Sequence, residues 1–300
     1  MGVLVWGCSN AAAQQLVLSR CGVCRHYGHS GHWNSLNSRL QLADTCQCDG
    51  FCAYIGAGCH SSVVTSSKPY TLFPTLVLDS EMKLKANRLV LPVNTKGNDY
   101  VVGDIHGHAQ KLLKQLDTIG FDATVDRLIC VGDLIDRGPE SIEALALLNE
   151  PWFFSVLGNH EYLMLSGMKY QNSKDRMTWL NHGGNWIMDT DASQWPQWFD
   201  LIEALPIAIE VESSEGVRYG IVHADYPAQS WNSFERFTSD ELYRCIWSRG
   251  NFRSRSPHSI NGIDYLFHGH CVSEGELKLG NRIYIEPGVF LGNDFIIKRL

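Results

Sequence analysis

Residues 158–161 read GNHE directly after the apolar run WFFSVL at 152–157. Asn, His and Glu leaving a buried strand either form a polar turn that caps the next helix, or deliver a metal ligand and a proton donor to one point in space. The same pattern recurs along the chain. Asp104 and His106 follow the apolar YVV at 100–102, and Asp133, Asp136 and Arg137 follow LICV at 128–131. His223 follows GIV, and His268 and His270 follow YLF. Carboxylate, imidazole and amide oxygen are ligands for hard and borderline divalent cations. Carboxylates gathered in a desolvated cleft without a cation leave like charges opposed. If these segments converge, their chemistry is that of a metal site.

Convergence depends on the elements that carry the loops. Tyr100 to Val102 form a short strand that breaks at Gly103, and LLKQLDTI at 112–119 spaces Leu112, Leu113, Leu116 and Ile119 along one helical face. RLICVGDLIDRGPESIEALALLNE at 127–150 repeats the plan. It gives a strand at 127–131, a polar loop, then a helix opened by Pro139, Glu140 and Ser141 with Ile142, Leu145 and Leu148 inward. WFFSVLGNHEYLML repeats it a third time. Three successive β-loop-α units imply a parallel core whose loops gather at the carboxyl ends of the strands, where open α/β sheets bind ligands. His108, His182 and His258 read as surface or helix-start residues.

Bulk composition sets the class. The 300 residues are 44% hydrophobic and 19% charged, enough apolar material for a sizeable core in one or two domains. A formal charge of -7 offers no global attraction for nucleic acid or an anionic membrane, so an anionic substrate must be attracted locally. No apolar stretch is long enough for a membrane span, and a cytoplasmic location is expected. The start lacks the Lys or Arg of a secretory signal. LVWGC at 4–8 places Cys8 where a lipid-modified cysteine would stand, but Trp6 and the short lead argue against modification.

The first 81 residues differ from the rest. Of the 10 cysteines, Cys8, Cys21, Cys24, Cys46, Cys48, Cys52 and Cys59 lie there, and the segment shows neither helical nor alternating periodicity. CGVC at 21–24 with the later cysteines and His26, His29, His32 and His60 would suit a structural zinc site, yet the spacings do not pair cleanly. The favoured expectation is an irregular Cys/His-rich extension, poorly ordered or read through from upstream sequence, over 1–81. A self-contained domain is expected over 82–300.

DIHG, GDLIDRG and GNHE in this order, with a later VHA and GH, resemble the PPP family of metallophosphoesterases, most of all its phage lambda-type and bacterial members. The likeness runs from about residue 97 to 300 and extends to LDTIGFD, VHADYP, WSR at 247–249 and IEPGVFLGN. It implies an α/β metallophosphoesterase (calcineurin-like) fold, a central β-sandwich of mixed sheets flanked by helices. It also implies two divalent metal ions, with manganese favoured and iron, zinc, nickel or cobalt compatible with the ligand set.

Carried over residue by residue, the resemblance implies that Asp104, His106 and Asp133 hold one metal and Asp133, Asn159, His223 and His270 the other, with Asp133 bridging. His270 is preferred to His268 because it follows Gly269. A metal-bridging hydroxide is then expected to attack phosphorus directly, leaving Cys130, Cys245 and Cys271 as bystanders. Arg137 and Arg249 are expected to bind the phosphate, whose dianion meets a centre of about +3 once both guanidinium groups are counted. His160 is expected to protonate the leaving group with Asp136 orienting it, and Glu161 to support the loop or the helix start.

The expected activity is dephosphorylation of phosphoserine and phosphothreonine, with phosphotyrosine as a further substrate, on phosphorylated proteins or peptides. Neither nucleic acid nor membrane is an expected partner. Leu157 stands where lambda-type phosphatases have Arg, which removes one phosphate contact. Leu there is shared with the diadenosine tetraphosphate hydrolases of the same superfamily, but those have an apolar residue in place of Asp136. A dinucleoside polyphosphate hydrolase is therefore the alternative. A non-catalytic binding module acting through the Cys/His-rich segment is an alternative of another class.

Overall fold

The structure, a computed structural model, describes residues 82–300. The expected Cys/His-rich extension, its zinc alternative and Cys8 lie outside the described residues.

Among the described residues, ten short strands form two sheets. One has four strands: β2 (Asp99–Val102), β3 (Arg127–Cys130), β4 (Phe153–Ser155) and β10 (Ile297–Arg299), in the order β10-β2-β3-β4. β2, β3 and β4 run parallel, as three successive β-loop-α units require, and β10 closes the β2 edge antiparallel. The other sheet has six: β1 (Arg88–Leu91), β5 (Ala208–Glu212), β6 (Arg218–Val222), β7 (Tyr265–His268), β8 (Leu277–Leu279) and β9 (Arg282–Tyr284). Their order is β1-β5-β6-β7-β9-β8, with antiparallel β5/β6 and β8/β9 pairs among parallel neighbours.

Side-chain alternation explains why the strands read as apolar runs rather than as alternating patterns. Val101, Ile129 and Val131 point into a core shared with Ile209, Val211, Ile221, Phe267 and Ile283 of the six-stranded sheet. Their neighbours Val102, Leu128 and Cys130 face the other way, into the helical layer. Both faces of the central strands β2 and β3 are buried, so the two sheets form a sandwich with helices on the outer face of the four-stranded sheet.

On the four-stranded sheet that cover begins with α1 (Ala109–Thr118), α2 (Ser141–Ala146) and α3 (Asn159–Met164), one after each parallel strand. α1 buries Ala109, Leu112 and Leu116, while Leu113 is half-buried and Ile119 is 42% exposed. The expected apolar face is thus rotated toward the helix start. α2 departs from expectation in the same manner. Ser141, Ala144 and Leu145 are buried, Leu148 is half-buried, and Ile142 is exposed. Ala144 lets the helix approach closely, and the inward stripe follows 141, 144, 145 and 148 rather than 142, 145 and 148.

The chain continues through α4 (Ser173–Asn181), α5 (Trp195–Glu203), α6 (Ser239–Trp247) and the short α7 (Gly250–Ser254). Thr238 and Glu241 close a reciprocal cap on α6, with the Thr238 N–H donating to Glu241 Oε2 at 2.8 Å and the Glu241 N–H to Thr238 Oγ1 at 3.3 Å. This fixes the helix whose far end delivers Trp247, Ser248 and Arg249. Among the described residues no helix is long and apolar enough to cross a membrane.

Candidate dinuclear metal centre

The loops after β2, β3 and β4, the end of β6 and the turn after β7 meet at the carboxyl ends of these strands. Asp104, His106, Asp133, Asn159, His160, His223 and His270 are all buried there. Backbone strain is concentrated at the same point. Among the described residues, 7 non-glycine residues have positive φ, and His106 (44°), Asp133 (49°), Asp136 (74°), Arg137 (70°) and His270 (62°) belong to these loops. Asp and His tolerate this region better than most residues, but so many together mark loops held in costly shapes to aim side chains.

Asp133 stands at the middle. Its Oδ2 is 3.4 Å from His223 Nε2, 3.7 Å from His106 Nε2 and 3.9 Å from His160 Nε2. Two groups of donor atoms, each within 4.8 Å, share it: His106, Asp133 and His160, and Asp133, His223 and His270. Asn159 joins the second, its Oδ1 lying 3.0 Å from His223 Nε2. Asp104 flanks both, with Oδ2 3.9 Å from His106 Nε2 and Oδ1 3.9 Å from His223 Nδ1.

Surrounding backbone sets which ring nitrogen faces inward. His106 Nδ1 lies 3.1 Å from the Ile135 carbonyl and His223 Nδ1 2.8 Å from that of Val131, so each Nδ1–H donates outward and Nε2 keeps its lone pair for the centre. His270 is turned the other way: Nε2 lies 3.1 Å from the Trp247 carbonyl, leaving Nδ1 for the centre. The His270 N–H donates to Asp104 Oδ2 at 3.0 Å. Gly269 makes that approach feasible, since a Cβ there would overlap the Asp104 carboxylate.

The electrostatics fit cations. Burial, then the charges of Glu286 and Asp133, push the Asp104 carboxyl well above the ordinary carboxylate range. Burial pushes His106 and His270 well below the usual imidazole range. Burial also opposes the Asp133 charge, but the nearby His223, His160 and His106 outweigh it and its pKa is well below normal. Clustered acids and neutral imidazoles that all disfavour burial are stabilised together by divalent ions. The donor set of carboxylate, imidazole and amide oxygen suits a pair of them.

His160 differs from these rings. Its Nδ1–H donates to Asp136 Oδ2 at 2.6 Å, and the charges of Asp133 and Asp136 overcome burial to raise its pKa. Asp136 is fully buried, yet satisfied: Trp179 Nε1–H donates to Oδ2 and Trp186 Nε1–H to Oδ1, each at 2.7 Å. The Asp136 N–H reaches Ser141 Oγ at 2.9 Å. Arg137 places Nη1 2.9 Å from His106 Nε2 and Nη2 3.1 Å from His160 Nε2, its guanidinium 4.3 Å above the Phe290 ring. Arg249 lines the adjoining cavity of about 350 Å³ together with Arg137 and His270.

Glu161 takes the supporting position expected of it. Its Oε2 accepts from the N–H groups of Asp133 (3.0 Å) and Gly158 (3.1 Å), and Oε1 from those of Leu134 (2.8 Å) and Ile135 (3.2 Å). Burial pushes its pKa up to about 7. Glu161→Gln sets an amide NH₂ against two of those donors whichever way it turns. The expected result is a loss of about 2–4 kcal/mol in unfolding free energy, read from the urea midpoint. A shift under about 1 kcal/mol would mean the loop holds its shape without the carboxylate.

Sequence reasoning missed several supports. Glu286 accepts from the Asp104 N–H at 2.9 Å and the Gly288 N–H at 2.7 Å. Asp225 accepts from Ser248 Oγ at 2.7 Å and the Asn251 N–H at 2.9 Å, tying the loop after β6 to the segment bearing Arg249. EPG and VHAD were the available signals, and each looks like an ordinary turn. His268 is buried on the strand itself, stacked on Tyr284 at 4.8 Å, which leaves His270 as the histidine at the centre. His108 is half-buried before α1, and His182 and His258 are exposed. Leu157 is in the core, packed with Leu165, Ile202 and Ile207.

Residues 100–273 match the calcineurin-like phosphoesterase family. The chain is 38% identical over 192 residues to serine/threonine-protein phosphatase 2 of Escherichia coli (strain K12), covering 63% of this chain and 86% of that protein. It is 35% identical over 204 residues to serine/threonine-protein phosphatase 1 of Salmonella typhimurium, covering 67% and 91%. A symmetrical bis(5'-nucleosyl)-tetraphosphatase of Coxiella burnetii is 34% identical over 175 residues, covering 57% of this chain and 53% of that protein.

Proposed function

The chain belongs to the calcineurin-like phosphoesterase family, and from that premise we propose that it is a metal-dependent serine/threonine phosphoprotein phosphatase. The observation that carries this reading is the 2.6 Å contact between His160 and Asp136 beside Asp133. A serine or threonine alkoxide is a poor leaving group and needs a proton as the ester bond breaks. A nucleotide leaving from a dinucleoside polyphosphate is already a stable anion and needs none. The long matches to proteins named serine/threonine-protein phosphatases support the same choice, whereas the tetraphosphatase match spans only 53% of that protein.

In this reading Asp104, His106 and Asp133 hold one divalent ion, and Asp133, Asn159, His223 and His270 hold the other. When bound, such a pair supplies an activated water and neutralises phosphoryl oxygens. His160 lies close enough to be counted among ligands, but its Nδ1 is directed to Asp136 at 2.6 Å and its Nε2 faces the Arg137 guanidinium at 3.1 Å, on the side where the phosphate would lie. It is the general acid, and Asp136, gripped by Trp179 and Trp186, fixes its ring. Arg137 and Arg249 take the phosphate oxygens. The Phe290 ring beneath Arg137 keeps that guanidinium in place without neutralising it.

The test is metal add-back. Chelated protein is supplied with manganese, iron, zinc, nickel or cobalt and assayed on phosphoserine, phosphothreonine and phosphotyrosine peptides and on diadenosine tetraphosphate. Chelation is expected to abolish turnover and manganese to restore it, with phosphoserine and phosphothreonine peptides preferred. Restored cleavage of diadenosine tetraphosphate with no release of phosphate from peptides would favour the tetraphosphatase reading.

A further inference from the structure

Resting on the phosphatase reading, we propose that Arg253 is a specificity residue that selects phosphopeptides carrying an acidic side chain two residues from the phosphorylated one. The cavity of about 350 Å³ beside His270 is lined by Arg137, Arg249 and Arg253, with Phe252, Phe290 and Val272 as its apolar walls. Three arginines share one opening in a protein whose formal charge is -7. Among the described residues, the arginines within ion-pair distance of a carboxylate are Arg88, Arg127 and Arg218, and none of the cavity's three is among them. Their charge is left for a ligand.

One dianionic phosphate occupies Arg137 and Arg249, and Arg253 is in excess of that need. The Arg253 N–H donates to the Arg249 carbonyl at 2.9 Å, so the two residues sit one helical turn apart, Arg249 just before the first residue of α7 and Arg253 in its last turn. Side chains so related are separated by about 6 Å, roughly the span of two residues of extended peptide. A carboxylate two residues from the phosphoresidue therefore falls opposite Arg253. Its planar fork pairs with carboxylate in two hydrogen bonds.

Peptide suits this opening better than a nucleobase. Arg137 lies over the Phe290 ring and Arg255 over the Phe252 ring, at 4.3 and 4.6 Å, so each aromatic wall already has an arginine on one face. The remaining apolar wall, Val272, is aliphatic and 42% exposed. Aliphatic side chains pack against a peptide's own side chains and offer no stacking surface.

The experiment compares kcat/KM for phosphoserine peptides bearing Asp, Ala or Lys at two residues before or after the phosphoserine, with p-nitrophenyl phosphate as control. Arg253 is exposed, so its replacement leaves the core intact. The wild-type protein is expected to prefer Asp over Ala by about five-fold through KM, with the preference eroding as salt rises. Arg253→Ala should remove the preference, Arg253→Lys keep part of it, and Arg253→Glu shift it to Lys, all with p-nitrophenyl phosphate turnover unchanged. Equal rates on all wild-type peptides, or a preference that survives Arg253→Glu, overturn the inference and leave the phosphatase reading standing. Cleavage of diadenosine tetraphosphate but of no phosphopeptide overturns both.

Discussion

Asp133→Asn is expected to reduce bound divalent metal from two equivalents to less than one and to lower phosphatase kcat/KM by about 10³-fold or more. Asp133 is common to both groups of donor atoms, with Oδ2 at 3.4 Å from His223 Nε2 and 3.7 Å from His106 Nε2. The surrounding rings hold the pKa of its carboxylate well below normal, which favours an anion where the proposed pair of cations would share one. Asn keeps the shape and retains an oxygen for the His160 N–H, which donates to Oδ1 at 3.0 Å. What it loses is the charge that the proposed pair of ions would share. The variant should therefore still fold in the absence of metal while failing to retain metal through dialysis. Two equivalents of metal in the dialysed variant, by elemental analysis, would show that Asp133 does not bridge.

The parts of this site legible in sequence are those where an apolar strand ends in a burst of polar residues. Asp104, Asp133 and Asn159 stand two to four residues past a strand, and the parallel order of β2, β3 and β4 brings the three loops to one edge. The second sheet was harder to read. β8 and β9 are three-residue strands whose pairing is set by contacts with distant neighbours, so only the resemblance pointed to mixed sheets. Helix faces were legible to within a turn. Ile142 was misplaced because three apolar residues at a spacing of three outweighed Ser141 and Ala144, small residues that carry little hydrophobic signal yet fill the buried stripe.

Supports were the least legible. Trp179 and Trp186 bind Asp136 from 43 and 50 positions away, and nothing in their local sequence ties a tryptophan to a carboxylate. Glu286 reaches the Asp104 N–H across 182 positions. Such residues act on the orientation of others, which leaves only burial of a polar group as their mark, and burial is a property of the fold.

His160→Asn separates proton donation from metal binding. Asn cannot donate a proton to a departing alkoxide, so turnover of phosphoserine peptides is expected to fall by about 10² to 10⁴-fold. Nitrophenolate leaves without help, so the loss on p-nitrophenyl phosphate should be smaller. Metal content should stay near two equivalents, because the side chain that leaves was directed to Asp136 at 2.6 Å while Asn159, next to it, still faces His223. The Asp136 carboxylate keeps its two tryptophan donors, which limits the structural cost of the exchange. Asp136→Asn, which leaves the imidazole in place but weakens its hold on the proton and on its own orientation, should reproduce the same substrate dependence with a smaller loss. Equal losses of the His160 variant on peptide and nitrophenyl substrates would instead make His160 a binding residue, since a group that only holds the phosphate stabilises both reactions alike.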